Sequence, residues 1–217
     1  MANVAQADVT ITTFNTGNIR SDGTPNHIGT LASGNYFVGN CGLYCTGTRG
    51  EYRNYFEFQI PTLYETITSA SLELQNDAVQ ADQYAPFTYK LTSTPSINFS
   101  GLGQGVYYGF SYFDNASNVG TSNLSLSAAA ISDISAGGEF IVSGSVPNIT
   151  TGATQPSECA FGFTGGPDNQ PALILTGVSL TPPRPTGVPE PTTWALMLIG
   201  VASLGGALRR RRNLVVA

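Results

Sequence analysis

The stretch Arg53-Asn54-Tyr55-Phe56-Glu57-Phe58-Gln59-Ile60-Pro61, followed after a short connection by Ile67-Thr68-Ser69-Ala70-Ser71-Leu72-Glu73-Leu74-Gln75, decides the architecture. Apolar and polar residues alternate in both halves, and a period of two places alternate side chains on opposite faces of an extended strand. Phe56, Phe58 and Ile60 share one face, with Tyr55, Glu57 and Gln59 on the other; Ala70, Leu72 and Leu74 point inward, with Ser71 and Glu73 outward. The same pattern extends to both sides. Val9, Ile11 and Thr13 share a face in D-V-T-I-T-T-F, and Phe87, Tyr89 and Leu91 do so in F-T-Y-K-L-T. Further strand candidates are V-Y-Y-G-F-S-Y-F, S-N-L-S-L-S, G-E-F-I-V-S-G, C-A-F-G-F-T and A-L-I-L-T-G, joined by Gly/Asn/Ser/Pro connections. About nine strands with polar outer faces predict two antiparallel sheets packed face to face, an all-β sandwich. The alanine-rich stretch at residues 127–136 predicts one short helix between two strands. Residues 15–50 are polar, glycine-rich and poor in periodicity, and read as a long loop or an irregular hairpin.

The segment from Arg53 to Gln75 resembles a strand pair of jelly-roll modules related to carbohydrate-binding modules. In those an aromatic-rich strand, a Pro-containing turn and an I-x-S-A-x-L-x-L strand recur. The resemblance implies a jelly-roll-like sandwich; a fold of that kind hosts many functions, so sugar binding does not follow from it.

The C-terminal tail has a different character. Val188-Pro189-Glu190-Pro191 is followed by an uncharged apolar run, residues 192–208, and then by Arg209, Arg210, Arg211 and Arg212. As a helix the run would extend roughly 25 Å. That is short for a hydrocarbon core of about 30 Å, but Trp194 suits one interface and the arginine stems can snorkel at the other. The arginine block sets the orientation, since a basic segment next to a span stays on the cytoplasmic side. Residues before 192 are then outside the cytoplasm. The two prolines fix φ and remove two backbone donors, so residues 188–191 are expected to be extended, with Glu190 the one charged contact a recognition site can use. A stiff linker would use the same residues.

These elements, in this order and spacing, resemble the PEP-CTERM sorting signal of Gram-negative bacteria. The resemblance covers the tail alone. It implies a substrate of exosortase, a membrane-embedded cysteine transpeptidase-like enzyme that cuts near Pro-Glu-Pro. It also implies export through the Sec machinery, transient anchoring in the inner membrane, and delivery to the cell surface or extracellular matrix. Ala5-Gln6-Ala7 before Asp8 fits the small-x-small pattern of a signal-peptidase site. The expectation is that residues 1–7 are the end of a signal peptide and that the mature chain starts at Asp8. The domain reading is a β-sandwich over 8–180, a Pro-rich linker with the sorting motif over 181–191, a transmembrane helix over 192–208 and a basic cytoplasmic tail over 209–217.

Charge narrows the partners. The chain is net −5, and four of its nine basic residues are the terminal arginines, so the part before the span is more acidic still. That argues against nucleic acid and against anionic polymers held by bulk charge. Of the three cysteines, Cys41 and Cys45 lie in C-G-L-Y-C and Cys159 is remote. A Cys41–Cys45 disulfide with Cys159 as a buried thiol is one arrangement, and pairing of Cys159 with either of the others is the second. The only histidine is His27, read as a loop residue, so neither zinc nor a Ser-His-Asp triad finds its ligands or partners. No metal site and no catalytic residues are expected, and the domain is read as a non-enzyme. Oxygen-rich stretches at Asp22-Gly23, Asp114-Asn115 with Asn118, and Asp168-Asn169 suit Ca²⁺, but Asx turns explain them equally well.

The aromatic strand around residues 106–115 is the other binding candidate. Strict alternation places Tyr108, Phe110 and Tyr112 on one face, with Tyr107 and Phe113 on the other. Tyr107, Tyr108 and Tyr112 are therefore candidates for stacking on sugar rings, against the plainer reading of an edge strand packed under a loop. Two functional expectations result: a structural or interaction protein of an exopolysaccharide layer, or a carbohydrate-binding module that recognises an extracellular glycan.

Overall fold

A computed structural model describes residues 8–29, 36–42, 49–76, 79–81, 87–113, 120–149, 158–161, 170–180, 182, 192–199 and 201. The chain divides into two compact units, residues 1–181 and 182–217. In the first unit the strands are β1 (Val9–Thr12), β2 (Asn15–Arg20), β3 (Pro25–Gly29), β4 (Val38–Cys41), β5 (Gly50–Ile60), β6 (Ser69–Asn76) and β7 (Val79–Ala81). They continue as β8 (Phe87–Ser93), β9 (Tyr107–Phe113), β10 (Gly120–Ser125), β11 (Gly138–Ser145), β12 (Glu158–Ala160) and β13 (Ala172–Thr176), with helix α1 (Ala128–Ser135) between β10 and β11.

The strands form two antiparallel sheets. The smaller has the order β1-β13-β6-β10, and the larger β7-β12-β4-β5-β11-β8-β9, with β2 on the other edge of β5 and β3 beside β2. Alternation places Leu72, Leu74, Leu173 and Leu175 of the small sheet in one core with Phe56, Phe58, Tyr89, Leu91 and Val142 of the large one. This is the face-to-face burial expected of a sandwich. The phase expected from the opening stretch holds on both strands: Phe56, Phe58, Ile60, Ala70, Leu72 and Leu74 are all buried.

Helix α1 also appears where composition places it. Ser127 is its N-cap, accepting from the Ala130 N–H, and Ala130 and Ile134 turn one face into the core. Ser127 also ties the helix to β9. Its N–H donates to the Tyr108 carbonyl at 2.7 Å and its hydroxyl to the Tyr107 carbonyl at 3.1 Å.

Two expectations need correction. Of the two alternatives for residues 15–50, the long loop is wrong and the irregular hairpin holds in part: β2 and β3 form a hairpin with a register shift, which places His27 on a strand, and β4 is a further strand. The hydrophobic pattern concealed β2 and β4 because their inward positions include Thr16, Asn18 and Asn40, all buried polar residues. The second correction concerns the outward face of β5. Tyr55 is 1% exposed and Glu57 7%, while only Gln59 is open. Tyr55 packs with Ile19, Leu102 and Phe99, so the segment after β8 covers part of the large sheet's outer face. Burial raises the Glu57 carboxyl above its ordinary pKa, opposed by the Asn15 side-chain amide, which donates to Oε1 at 2.9 Å.

A buried polar relay joins the sheets. The Tyr89 hydroxyl donates to Asn54 Oδ1 at 2.9 Å, and Asn54 Nδ2 donates to the Tyr36 carbonyl at 2.7 Å. The Tyr36 hydroxyl then donates to the Gln75 carbonyl of β6 at 2.8 Å and accepts from the Gln75 N–H at 2.9 Å. Gly144 leaves the room for it, since a Cβ there would lie 2.1 Å from the Tyr89 hydroxyl and 2.3 Å from Asn54 Oδ1. Replacing Asn54 by leucine removes the acceptor of the buried Tyr89 hydroxyl and the amide that donates to the Tyr36 carbonyl. The expected loss is about 2–4 kcal/mol in urea unfolding. An unchanged midpoint would mean that the relay holds nothing together.

Candidate functional site

Strand β9 is the terminal strand of the large sheet, paired with β8. Its register slips once: Leu91 pairs with Gly109, but Thr92 pairs with Tyr107, so Tyr108 is the extra residue of a bulge. The slip changes which residues share a face. Before it, Tyr107 points out and Tyr108 in; after it, Phe110 and Tyr112 point out and Phe113 in. Tyr107, Phe110 and Tyr112 therefore form one exposed aromatic row, 45%, 47% and 65% open to solvent. Their ring centroids are separated by 6.5 Å between Tyr107 and Phe110 and by 5.1 Å between Phe110 and Tyr112.

Tyr108 does not belong to that surface. It is 2% exposed, stacks on Phe140 at 5.6 Å, and its hydroxyl donates to the Asp133 carboxylate of α1. Burial first, and the Asp133 carboxylate second, push its phenol well above the usual range. Alternation alone had paired Tyr108 with Phe110 and Tyr112, and the bulge overturns that pairing. Phe110 is the residue sequence reasoning left out; the sequence signal was Gly109 inside an aromatic strand, since a glycine there often marks a bulge.

The aromatic row continues inward along the sheet. Across the ladder Phe110 faces Lys90, Lys90 faces Ser145, and Arg53 adjoins Asn54, the partner of Gly144. Arg53, Lys90 and Ser145 border an open cleft of about 390 Å³ that also includes Glu51 and Gln104. Arg53 is fixed there: its Nε donates to Glu51 at 3.1 Å and its Nη1 to the carbonyls of Phe99 and Leu102 at 3.0 and 2.9 Å. The guanidinium also lies 4.2 Å over the Phe99 ring.

The remaining sequence candidates fall as follows. Cys41 is disulfide-bonded and Cys159 is a buried thiol, so those two are not joined to each other. Cys45 lies outside the described residues. Asp22 is engaged in the β2–β3 turn, accepting from Arg20 and from the Thr24 N–H at 2.9 Å. Asp114, Asn115, Asn118, Asp168 and Asn169 lie outside the described residues, among which no group of three or more His, Cys, Asp or Glu side chains is placed to hold a metal.

In the second unit residues 192–199 are helical and exposed throughout, including Trp194, Leu196, Leu198 and Ile199. Among the described residues no helix is long and apolar enough to cross a membrane. The expected span over 192–208 is thus described only in its first part. Val188, Pro189, Glu190, Pro191 and Arg209 to Arg212 lie outside the described residues.

Comparison with protein families matches residues 187–212 to the PEP-CTERM protein-sorting motif. The match covers the Pro-Glu-Pro element, the apolar run and the four arginines together. The chain therefore carries the sorting signal of an exosortase substrate, which addresses it for export to the cell envelope. A search of curated proteins finds no match to the chain.

The bulge is open to a direct test. At Gly109 φ is +155°, and a Cβ would sit 2.7 Å from the Ser125 carbonyl oxygen. Gly109→Ala is expected to cost about 1–3 kcal/mol. It should also change the solvent accessibility of Tyr107 and Tyr112, read by photo-CIDNP NMR. A variant with wild-type stability and unchanged tyrosine signals would show that the slip does not depend on the glycine.

Proposed function

We propose that this chain is an exported protein of the surface or extracellular matrix of a Gram-negative bacterium. In this reading the apolar helix holds it transiently in the inner membrane, with the arginines on the cytoplasmic side, until exosortase cuts near Pro189-Glu190-Pro191. The released sandwich then has a structural or interaction role in the exopolysaccharide layer. The observation that carries this is the match of residues 187–212 to the sorting motif. The physical character of the tail supports it: a glutamate bracketed by two prolines is a segment whose sequence resists helix and suits threading by an enzyme, and the apolar side chains exposed along residues 192–199 suit a lipid environment. Sec export and signal peptidase belong to the same route.

A second reading treats the sandwich as a glycan-recognition module, and the exposed row of Tyr107, Phe110 and Tyr112 favours it. Aromatic faces contact the apolar faces of sugar rings while phenol hydroxyls reach the rim. Tyr107 and Tyr112 remain from the sequence expectation, and Phe110 takes the place of Tyr108.

The routing is tested by intact mass and terminal sequencing of protein recovered from the native surface, with and without Pro189-Glu190-Pro191 replaced by alanines. The expected product lacks the apolar run and arginines, and the variant stays full length in the membrane fraction. Full-length protein in both cases would make the tail a permanent anchor. For the second reading, titration with polysaccharide from the host's own matrix should saturate and weaken by about tenfold or more in Tyr112→Ala, the loss of roughly one stacked ring. Unsaturable or unchanged binding would remove the glycan reading.

A further inference from the structure

The cleft beside the aromatic row has a chemistry of its own. Lys90 is half-buried on β8 between Ser145 and Phe110, and among the described residues its ammonium forms no hydrogen bond or ion pair with a neighbouring side chain. Arg53 is otherwise committed, with Nε on Glu51 and Nη1 on two carbonyls. With Nε and Nη1 engaged, the guanidinium keeps only Nη2 and has no bidentate edge open. What the cleft offers an incoming anion is a point charge at Lys90, with the Ser145 hydroxyl and the exposed Gln104 amide nearby. Phosphate or sulfate would be better served by an open guanidinium fork, whereas a single carboxylate needs only one ammonium and one or two neutral donors.

The remaining walls fit a sugar ring that carries such a carboxylate. Pro147 and Ile149 give the cleft an apolar side, and Glu51 supplies acceptors for hydroxyl groups. The volume of about 390 Å³ lies near the lower end of the range for small-ligand sites, enough for one ring rather than a long chain. Continuity comes from the register: Phe110 stands directly across from Lys90, so a polymer with one unit in the cleft would lay its neighbours on the aromatic row. The net charge of −5 for the whole chain excludes capture of a polyanion by bulk attraction. Recognition of an acid group has to be local.

We infer that the cleft bounded by Arg53, Lys90 and Ser145 is a subsite for the carboxylate of an acidic sugar, of the uronic acid class, within a glycan whose next units stack on Phe110 and Tyr112. The inference rests on the glycan reading above and adds the class of sugar to it.

Calorimetric titration of the full-length chain with three probes tests it: a short oligogalacturonide, its methyl ester, and free galacturonic acid. The acidic oligomer should bind saturably and about tenfold more tightly than the uncharged ester, a preference that weakens with added salt. Lys90→Met should abolish the preference while leaving the ester's affinity unchanged, and Lys90→Arg should retain it. Tyr112→Ala should weaken acid and ester alike. Equal affinity for acid and ester, or a preference that survives in Lys90→Met, overturns the carboxylate subsite and leaves the aromatic row standing. Binding of the free monosaccharide as tight as that of the oligomer overturns the joint between cleft and row. Binding of no probe overturns both. Thermal melts of both Lys90 variants keep a folding defect from passing as lost recognition.

Discussion

The molecule depends on one buried amide. Asn54 lies in β5 just where that strand stops pairing with β4 and starts pairing with β11, and it is fully buried. Its side chain accepts from Tyr89 and donates to the Tyr36 carbonyl, and the Tyr36 hydroxyl crosses the core to the backbone of Gln75. Hydrophobic burial is non-directional and would tolerate sliding of one sheet over the other. A chain of directional bonds with no water to replace them would not. Phe161 shows how firmly the neighbourhood is set: it adopts φ +61°, unfavourable for an aromatic residue, yet is fully buried with its ring against Tyr36, Tyr89 and Phe113.

The outer face of the large sheet follows from that frame. With β5, β11 and β8 locked in register, the position of every outward side chain is set. Arg53, Ser145 and Lys90 fall into line beside a cleft, and the bulge in β9 brings Phe110 into the same line. Part of this face is covered by the segment containing Phe99 and Leu102, which Arg53 holds by two hydrogen bonds and a ring contact. The part beyond stays open. There the exposed rings of Tyr107, Phe110 and Tyr112 lie beside the polar groups of Arg53, Lys90 and Ser145.

The sorting signal and the sandwich face are encoded separately in this chain. The sorting signal is a linear feature, defined by its order of proline, apolar and basic residues. The sandwich face exists only once strands far apart in sequence have paired. Nothing in residues 187–212 bears on what that face binds.

Much was legible in the sequence. The alternation in β5, β6 and β8, the capped helix after Ser127 and the tail elements all act over a few residues, where the period of side chains or a single cap decides the outcome. Strands β2 and β4 were hidden because buried Asn18 and Asn40 break the apolar code. Tyr108 was misplaced for a related reason. A bulge shifts the phase of everything after it, and whether the chain slips at Gly109 is decided by what β8 and Ser127 offer across the gap. The sequence by itself determined the β-rich class, the inward faces of the main strands and the sorting signal, because each is encoded locally. Tertiary structure alone decided the polar relay, the aromatic row and the cleft beside Lys90, because each is made by residues that meet only through strand register.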